Sequence, residues 1–173
     1  MLQHHQTPAP TLLHSQPQTR LDLANAWMRA FNNWNLPLML SYMTEGQDFN
    51  YSYLPASIGM ASKSRRDFTS YGTFMKNIIP DLQVEILNVH DSSSATGPVV
   101  AHVIGRATST RTGAPFYQEY MMLIYIRPER NGALKIHKVD EFVDSRFVHE
   151  YFTAEKKYGR RALAATTPAC AKL

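Results

Sequence analysis

The stretch Leu134-Lys135-Ile136-His137-Lys138-Val139-Asp140-Glu141-Phe142-Val143-Asp144 carries a two-residue alternation straight into a helix start. Successive side chains of a strand point to opposite faces, so Ile136, Lys138, Asp140 and Phe142 fall on one side and His137, Val139, Glu141 and Val143 on the other. Neither side is purely apolar. Holding His137, Asp140 and Glu141 among bulky apolar neighbours is costly unless those groups are paired or used chemically. Asp144 directly precedes a segment in which Phe147, Val148, Tyr151 and Phe152 recur at helical spacing, so its carboxylate is predicted to cap a helix N-terminus.

Upstream of this strand the chain reads as more sheet. Asn131-Gly132 makes a turn into it, and Val99–Thr110 and Phe116–Arg127 flank the hairpin connection Arg111-Thr112-Gly113-Ala114-Pro115. Leu82, Val84 and Ile86 alternate with Gln83 and Glu85 before the turn-rich segment Asp91–Pro98. Long strands in hairpin succession are antiparallel. The N-terminal half is helical instead. From Thr19 to Asn35, Leu23, Trp27, Phe31 and Trp34 recur every three or four residues behind a Thr19/Asp22 capping box. Leu36-Pro37 interrupts that helix, and Pro37 opens a second, short one carrying Leu38, Leu40 and Met43. Phe49, Tyr51 and Tyr53 then alternate along a short strand ended by Pro55. Ser64 with Asp67 opens a helix bearing Phe68, Tyr71, Phe74, Met75 and Ile78, which closes before Pro80. The predicted architecture is α+β: a curved antiparallel sheet wrapped around N-terminal helices, with a C-terminal helix after the last strand.

At 173 residues, 44% of them apolar, the chain supports one domain with a sizeable core. Residues 1–18, rich in Gln, His, Pro and Thr, are predicted to be a disordered arm; the domain covers 19–155 and a basic tail 156–173. His4 and His5 in that arm are read as incidental. Of 18 basic residues, Arg20, Lys156, Lys157, Arg160, Arg161 and Lys172 lie in the terminal segments, leaving 12 basic against 14 acidic groups over residues 21–155. The calculated pI near 9.2 therefore belongs to the tails, and no basic patch on the body argues for nucleic acid. The single cysteine, Cys170, excludes a disulfide within one chain and a cysteine-based metal site. Without a leader-like start or a membrane-length apolar run, a soluble cytoplasmic protein is expected.

Chemistry-bearing motifs are scarce. No glycine-rich phosphate loop, Gly-x-Ser-x-Gly elbow or dinucleotide fingerprint occurs, nor any His/Cys/carboxylate spacing that suits a metal. Neither a cofactor nor a metal is expected. The polar residues at strand positions are His102, Arg106, Gln118, Glu119, His137, Asp140 and Glu141, with Tyr51 and Tyr53 on the short first strand. Such groups do acid/base work in a pocket, where burial moves carboxylate and imidazole pKa values toward neutrality, or they face solvent on the convex side of the sheet. Alternation alone leaves both readings open.

Leu54-Pro55-Ala56-Ser57, Gly113 with Gln118-Glu119-Tyr120, and Glu141-Phe142-Val143-Asp144-Ser145, in this order of elements, resemble the SnoaL-like branch of the NTF2-like (cystatin-like α+β cone) superfamily. The likeness covers roughly residues 20–153 and is greatest to small fungal cyclases and isomerases of polyketide and meroterpenoid biosynthesis. It implies a deep pocket between concave sheet and helices, no cofactor in most members, and frequent homodimers. Set against the limonene-epoxide hydrolase pattern, it places Tyr51, Tyr53 and Glu141 in the pocket. That pattern's Arg-x-Asp pair falls near Val103 and Gly105, which argues against epoxide hydrolysis. The family's strand phase selects Gln118 and Tyr120 and leaves Glu119 outward. The expected function is a cofactor-independent cyclisation, isomerisation or pericyclic step on a small apolar polyketide- or terpenoid-derived intermediate. Glu141 or His137 would move the proton, and Tyr51, Tyr53, Tyr120 and Gln118 would hydrogen-bond a substrate oxygen. The alternatives are a non-catalytic ligand-binding or dimerisation module and a dehydratase of the scytalone dehydratase type.

Overall fold

A computed structural model describes residues 19–92 and 94–166. The arm expected over 1–18, including His4 and His5, and Cys170 lie outside the described residues. Helix α1 (Arg20–Arg29) opens on the Thr19/Asp22 capping box, with Asp22 N donating to Thr19 Oγ1 at 3.1 Å. It is shorter than the periodicity suggests. The helix stops at Arg29 and continues as a separate 3-10 turn, Asn32–Trp34, in which Trp34 has a φ of 52°. The Trp34 indole N–H donates to the Ile79 carbonyl at 2.8 Å, and that buried hydrogen bond accompanies the break in the helix. Helix α2 (Leu36–Ser41) carries Pro37 in its first turn and is capped by the Asn35 side chain. Helix α3 (Arg65–Ile78) opens on the Ser64/Asp67 capping box. It buries Phe68, Met75 and Ile78 against α1 and the sheet.

Five strands, β1 (Asn50–Leu54), β2 (Gln83–Asp91), β3 (Val99–Thr108), β4 (Pro115–Pro128) and β5 (Leu134–Phe142), form one sheet in the order β1-β5-β4-β3-β2. The β2 to β5 pairings are antiparallel. β1 runs parallel to β5, pairing Tyr51 with Val139 and Tyr53 with Glu141. The sheet is therefore mixed, which corrects the purely antiparallel expectation. Hairpin logic constrains only strands joined by short turns, and β1 reaches β5 after α3 and three other strands.

A second correction concerns β5 itself. The β4–β5 register shifts between Tyr125, opposite Lys138, and Ile126, opposite Ile136, so His137 is the extra residue of a β-bulge. One added residue inverts the facing of everything before it. Ile136, Val139 and Glu141 therefore all point inward, whereas His137 does not share the Glu141 face.

Helix α4 (Ser145–Thr166) begins at Asp144, whose Oδ1 accepts from the backbone N–H groups of Arg146 and Phe147 at 2.9 and 3.1 Å. It runs through the boundary drawn at residue 155. Glu155 is only 2% exposed and accepts a 2.7 Å hydrogen bond from the Thr112 hydroxyl, which ties α4 to the β3–β4 hairpin. The core lies between the concave face of the sheet and α1, α3 and α4. An aromatic cluster of Trp27, Phe31, Phe49, Tyr51 and Phe68, with Trp27 and Phe31 edge to face at 4.9 Å, fills its closed end. Among the described residues no helix is long and apolar enough to cross a membrane.

Candidate active site

Inward-facing positions of a strand pair recur every second residue, and the register brings five polar ones to the same concave wall. β1 supplies Tyr51 and Tyr53, β5 supplies Glu141 beside Tyr53, and β4 supplies Gln118 and Tyr120. α3 adds Tyr71 from the facing layer. The rest of the cavity wall is apolar, with Met28, Phe68, Met75, Val103, Met122 and Val148 among it.

Glu141 is 7% exposed, and the Tyr51 hydroxyl donates to its Oε2 at 2.6 Å. Burial penalises the ionised carboxylate and pushes its pKa up to about 7, a rise held in check by the Tyr51 hydrogen bond and the Lys63 charge. A carboxyl group so placed exchanges protons near neutrality. The phenols move the other way from reactivity as acids. Burial, reinforced by the neighbouring carboxylate, raises Tyr51 and Tyr120 well above the usual tyrosine range, and burial with the adjacent Tyr71 does the same to Tyr53. They stay protonated, so each hydroxyl keeps a proton to donate, and Tyr51 gives its own to Glu141.

Two donors in the cavity are unused. Tyr53 Oη and Gln118 Nε2 are buried and make no hydrogen bond. The Tyr53 and Tyr71 hydroxyls are close enough for each to perturb the other, in a weak contact that falls short of a well-formed hydrogen bond and leaves Tyr53 Oη free to turn to a ligand. Buried unpaired donors are costly, and in a cavity that cost is offset when a ligand oxygen enters. Gly105, opposite Gln118 in the sheet, makes room for this arrangement. A Cβ there would come within 3.1 Å of the Tyr120 ring, closer than an ordinary contact, so a larger residue would push that ring by a few tenths of an ångström.

Of the six residues proposed from sequence, Tyr51, Tyr53, Gln118, Tyr120 and Glu141 line one cavity and His137 does not. His137 packs its ring 6.3 Å from that of Tyr125, and its pKa is lowered by burial and by the Arg127 and Lys138 charges. The strand residues left without a face all lie outside the cavity. His102 pairs with Glu119, Arg106 with Glu85 at 3.3 Å, and Asp140 with Lys138 at 2.8 Å.

Sequence reasoning passed over two further residues: Tyr71, which lines the cavity, and Lys63, which flanks it. In the sequence Tyr71 reads only as part of the apolar stripe of α3. Lys63 lies in the segment between β1 and α3, where no periodicity marks it; its backbone pairs with Tyr51, and its Nζ sits 4.9 Å from the centroids of both the Tyr53 and Tyr71 rings. Desolvation lowers its pKa against the opposing pull of Asp67 and Glu141. Among the described residues no group of His, Cys, Asp and Glu is arranged to hold a metal ion.

The sequence matches no protein-family model and no curated protein. Solved structures are similar in fold. The chain is similar to the BvnE pinacolase of Penicillium brevicompactum at 20% identity and a TM-score of 0.61, covering 84% of this chain and 95% of that one. PrhC of Penicillium brasilianum NBRC 6234 superposes with a TM-score of 0.65 at 14% identity over 79% of this chain and 88% of its own. A ketosteroid isomerase-like protein from Erwinia carotovora atroseptica SCRI1043 gives 0.59 at 18% identity over 76% and 98%. The chain has the NTF2-like, ketosteroid isomerase-like α+β cone fold.

Proposed function

We propose that this NTF2-like chain is a cofactor-independent enzyme that moves a proton on an apolar polyketide- or terpenoid-derived intermediate, and so isomerises or cyclises it. The observation that carries this reading is the pairing of Glu141, with a pKa of about 7, and two unsatisfied donors, Tyr53 Oη and Gln118 Nε2, inside one apolar cavity. Likeness in fold to a pinacolase and to a ketosteroid isomerase-like protein is in keeping with it, although one fold hosts many reactions.

The chemistry follows from the groups present. The Glu141 carboxylate takes a proton from carbon adjacent to a substrate carbonyl. The C–H electron pair moves into the carbonyl, and the enolate oxygen accepts hydrogen bonds from Tyr53 and Gln118. Where a C=C lies next to the deprotonated carbon, the enolate is a dienolate: its carbonyl re-forms, the double bond shifts toward it, and the far carbon takes the proton back from Glu141, which isomerises the substrate. In a cyclisation the enolate carbon attacks a second carbonyl, and the proton goes to the alkoxide so formed. At neutral pH a group of pKa about 7 is close to half ionised, which suits it to both halves of the cycle. Apolar walls keep bulk water from quenching the enolate. Homodimerisation, which the resemblance implies, belongs to the same proposal and is checked by the solution molar mass from light scattering.

Glu141→Gln tests the reading because it keeps volume and hydrogen bonding but removes the base. With polyketide or terpenoid intermediates that turn over, kcat/KM is expected to fall by about 10²- to 10⁴-fold. A pericyclic reaction would need the donors and no base. Loss of less than about threefold in Glu141→Gln, with a larger loss in Gln118→Ala or Tyr53→Phe, would replace the proton-transfer mechanism with that one.

A further inference from the structure

The cavity that holds Glu141 is small, about 60 Å³. A wider chamber of about 370 Å³ continues it, and Met60, Tyr71, Val148 and Phe152 are walls of both. Pockets that enclose small organic ligands measure roughly 300–1,000 Å³. A substrate whose reacting carbon reaches Glu141 therefore extends into the outer chamber, and the groups there meet its other end.

Three of those groups are charged side chains and the fourth is a histidine. Arg111 comes from the β3–β4 hairpin, and His149, Glu155 and Lys156 come from α4. The Arg111 guanidinium lies 5.6 Å from the centroid of the Phe74 ring, itself 46% exposed. Among the described residues neither Arg111 nor Lys156 has an acidic partner. Glu155 accepts from Thr112 with Oε1, whereas its Oε2 is buried and unpartnered. The chamber thus offers unpaired cations and one free acceptor over an aromatic surface.

We propose that the outer chamber seats the acidic end of an amphipathic substrate, with Arg111 and Lys156 pairing its carboxylate and Glu155 Oε2 accepting from a neighbouring hydroxyl or N–H. This rests on the proposed function and narrows the substrate class to acids carrying an apolar body. Guanidinium suits the task because its planar fork matches a carboxylate while its face stays stacked on Phe74. The acid anchors the far end, so the apolar end is the part delivered to Glu141.

Two fluorophores that share one apolar body test the assignment without a known substrate. 8-Anilinonaphthalene-1-sulfonate carries an anion and an N–H, and N-phenyl-1-naphthylamine lacks the anion. The full-length protein is expected to bind the sulfonate at least about tenfold more tightly, the worth of one well-made charged contact, and the two are expected to displace each other one for one. Arg111→Gln/Lys156→Gln should bring the two affinities within about twofold. Arg130→Gln, which removes a charge at the β4–β5 turn at the other end of the sheet, should leave the preference intact. Equal affinities in the wild-type protein, a preference that survives the double variant, or failure of mutual displacement would each overturn the anion site while leaving the cavity reading standing. Binding of neither fluorophore would instead remove the apolar cavity on which the proposed function depends.

Discussion

Glu141 is where local cost and function meet. Its pKa in the folded protein, about 7, lies above the ordinary value of 4.5. Between those two values the unfolded chain has released its proton while the folded one retains it, so stability present at acid pH is lost as pH rises through about 7. A displacement of that size corresponds to about 3 kcal/mol. Glu141→Gln is therefore expected to raise the melting temperature at pH 8 and to leave it nearly unchanged at pH 4, and thermal melts at both pH values check this. Tyr51→Phe removes a hydrogen bond that favours the carboxylate, so the acid limb of the pH–rate profile should move to higher pH. A profile that stays in place would detach Tyr51 from the proton chemistry. At this scale the sequence was informative about which strand residues face inward on β1 and β4, because clean alternation there survives into the structure. Tyr71 and Lys63 were less legible. An aromatic at helical spacing announces packing and is silent about its hydroxyl, and a lysine outside any periodic segment has no pattern to place it.

Among the elements, β5 carries the instructive error. Its alternation was read as unbroken, and the bulge at His137 shifts the phase between Ile136 and Val139. A bulge adds one residue without any composition signal, and here both phases leave an apolar residue inside, so the sequence could not distinguish them. The consequence is testable: His137→Gln should change kcat/KM by less than about twofold, in contrast to Glu141→Gln, since His137 lies outside the cavity wall. A loss as large as that of the Glu141 variant would put His137 back in the site. α4 was legible at its start and not at its end. The Asp144 cap and the stripe of Phe147, Val148, Tyr151 and Phe152 mark the first turns, whereas no sequence signal announces the contact between Glu155 and Thr112. Asp144→Ala is expected to cost about 1 kcal/mol in urea unfolding, because two N–H groups lose their acceptor at the helix that covers the cavity.

The whole molecule is built around a single interior: one sheet, helices on its concave side, and a cavity left between them where the core does not close. Order of elements and fold class followed from periodicity, capping and hairpin turns, each a short-range signal. The parallel placement of β1 did not, since it depends on a crossover around α3 that only tertiary packing decides. The proposed chemistry depends in turn on that placement, because β1 brings Tyr51 and Tyr53 beside Glu141. A direct titration of the Glu141 side chain, by carboxyl ¹³C chemical shift with Glu141→Gln to assign the signal, reads the proposed base without any substrate. The midpoint is expected near pH 7; a midpoint in the ordinary carboxylate range, about 4 to 5, would contradict the assignment of Glu141 as a base tuned by burial.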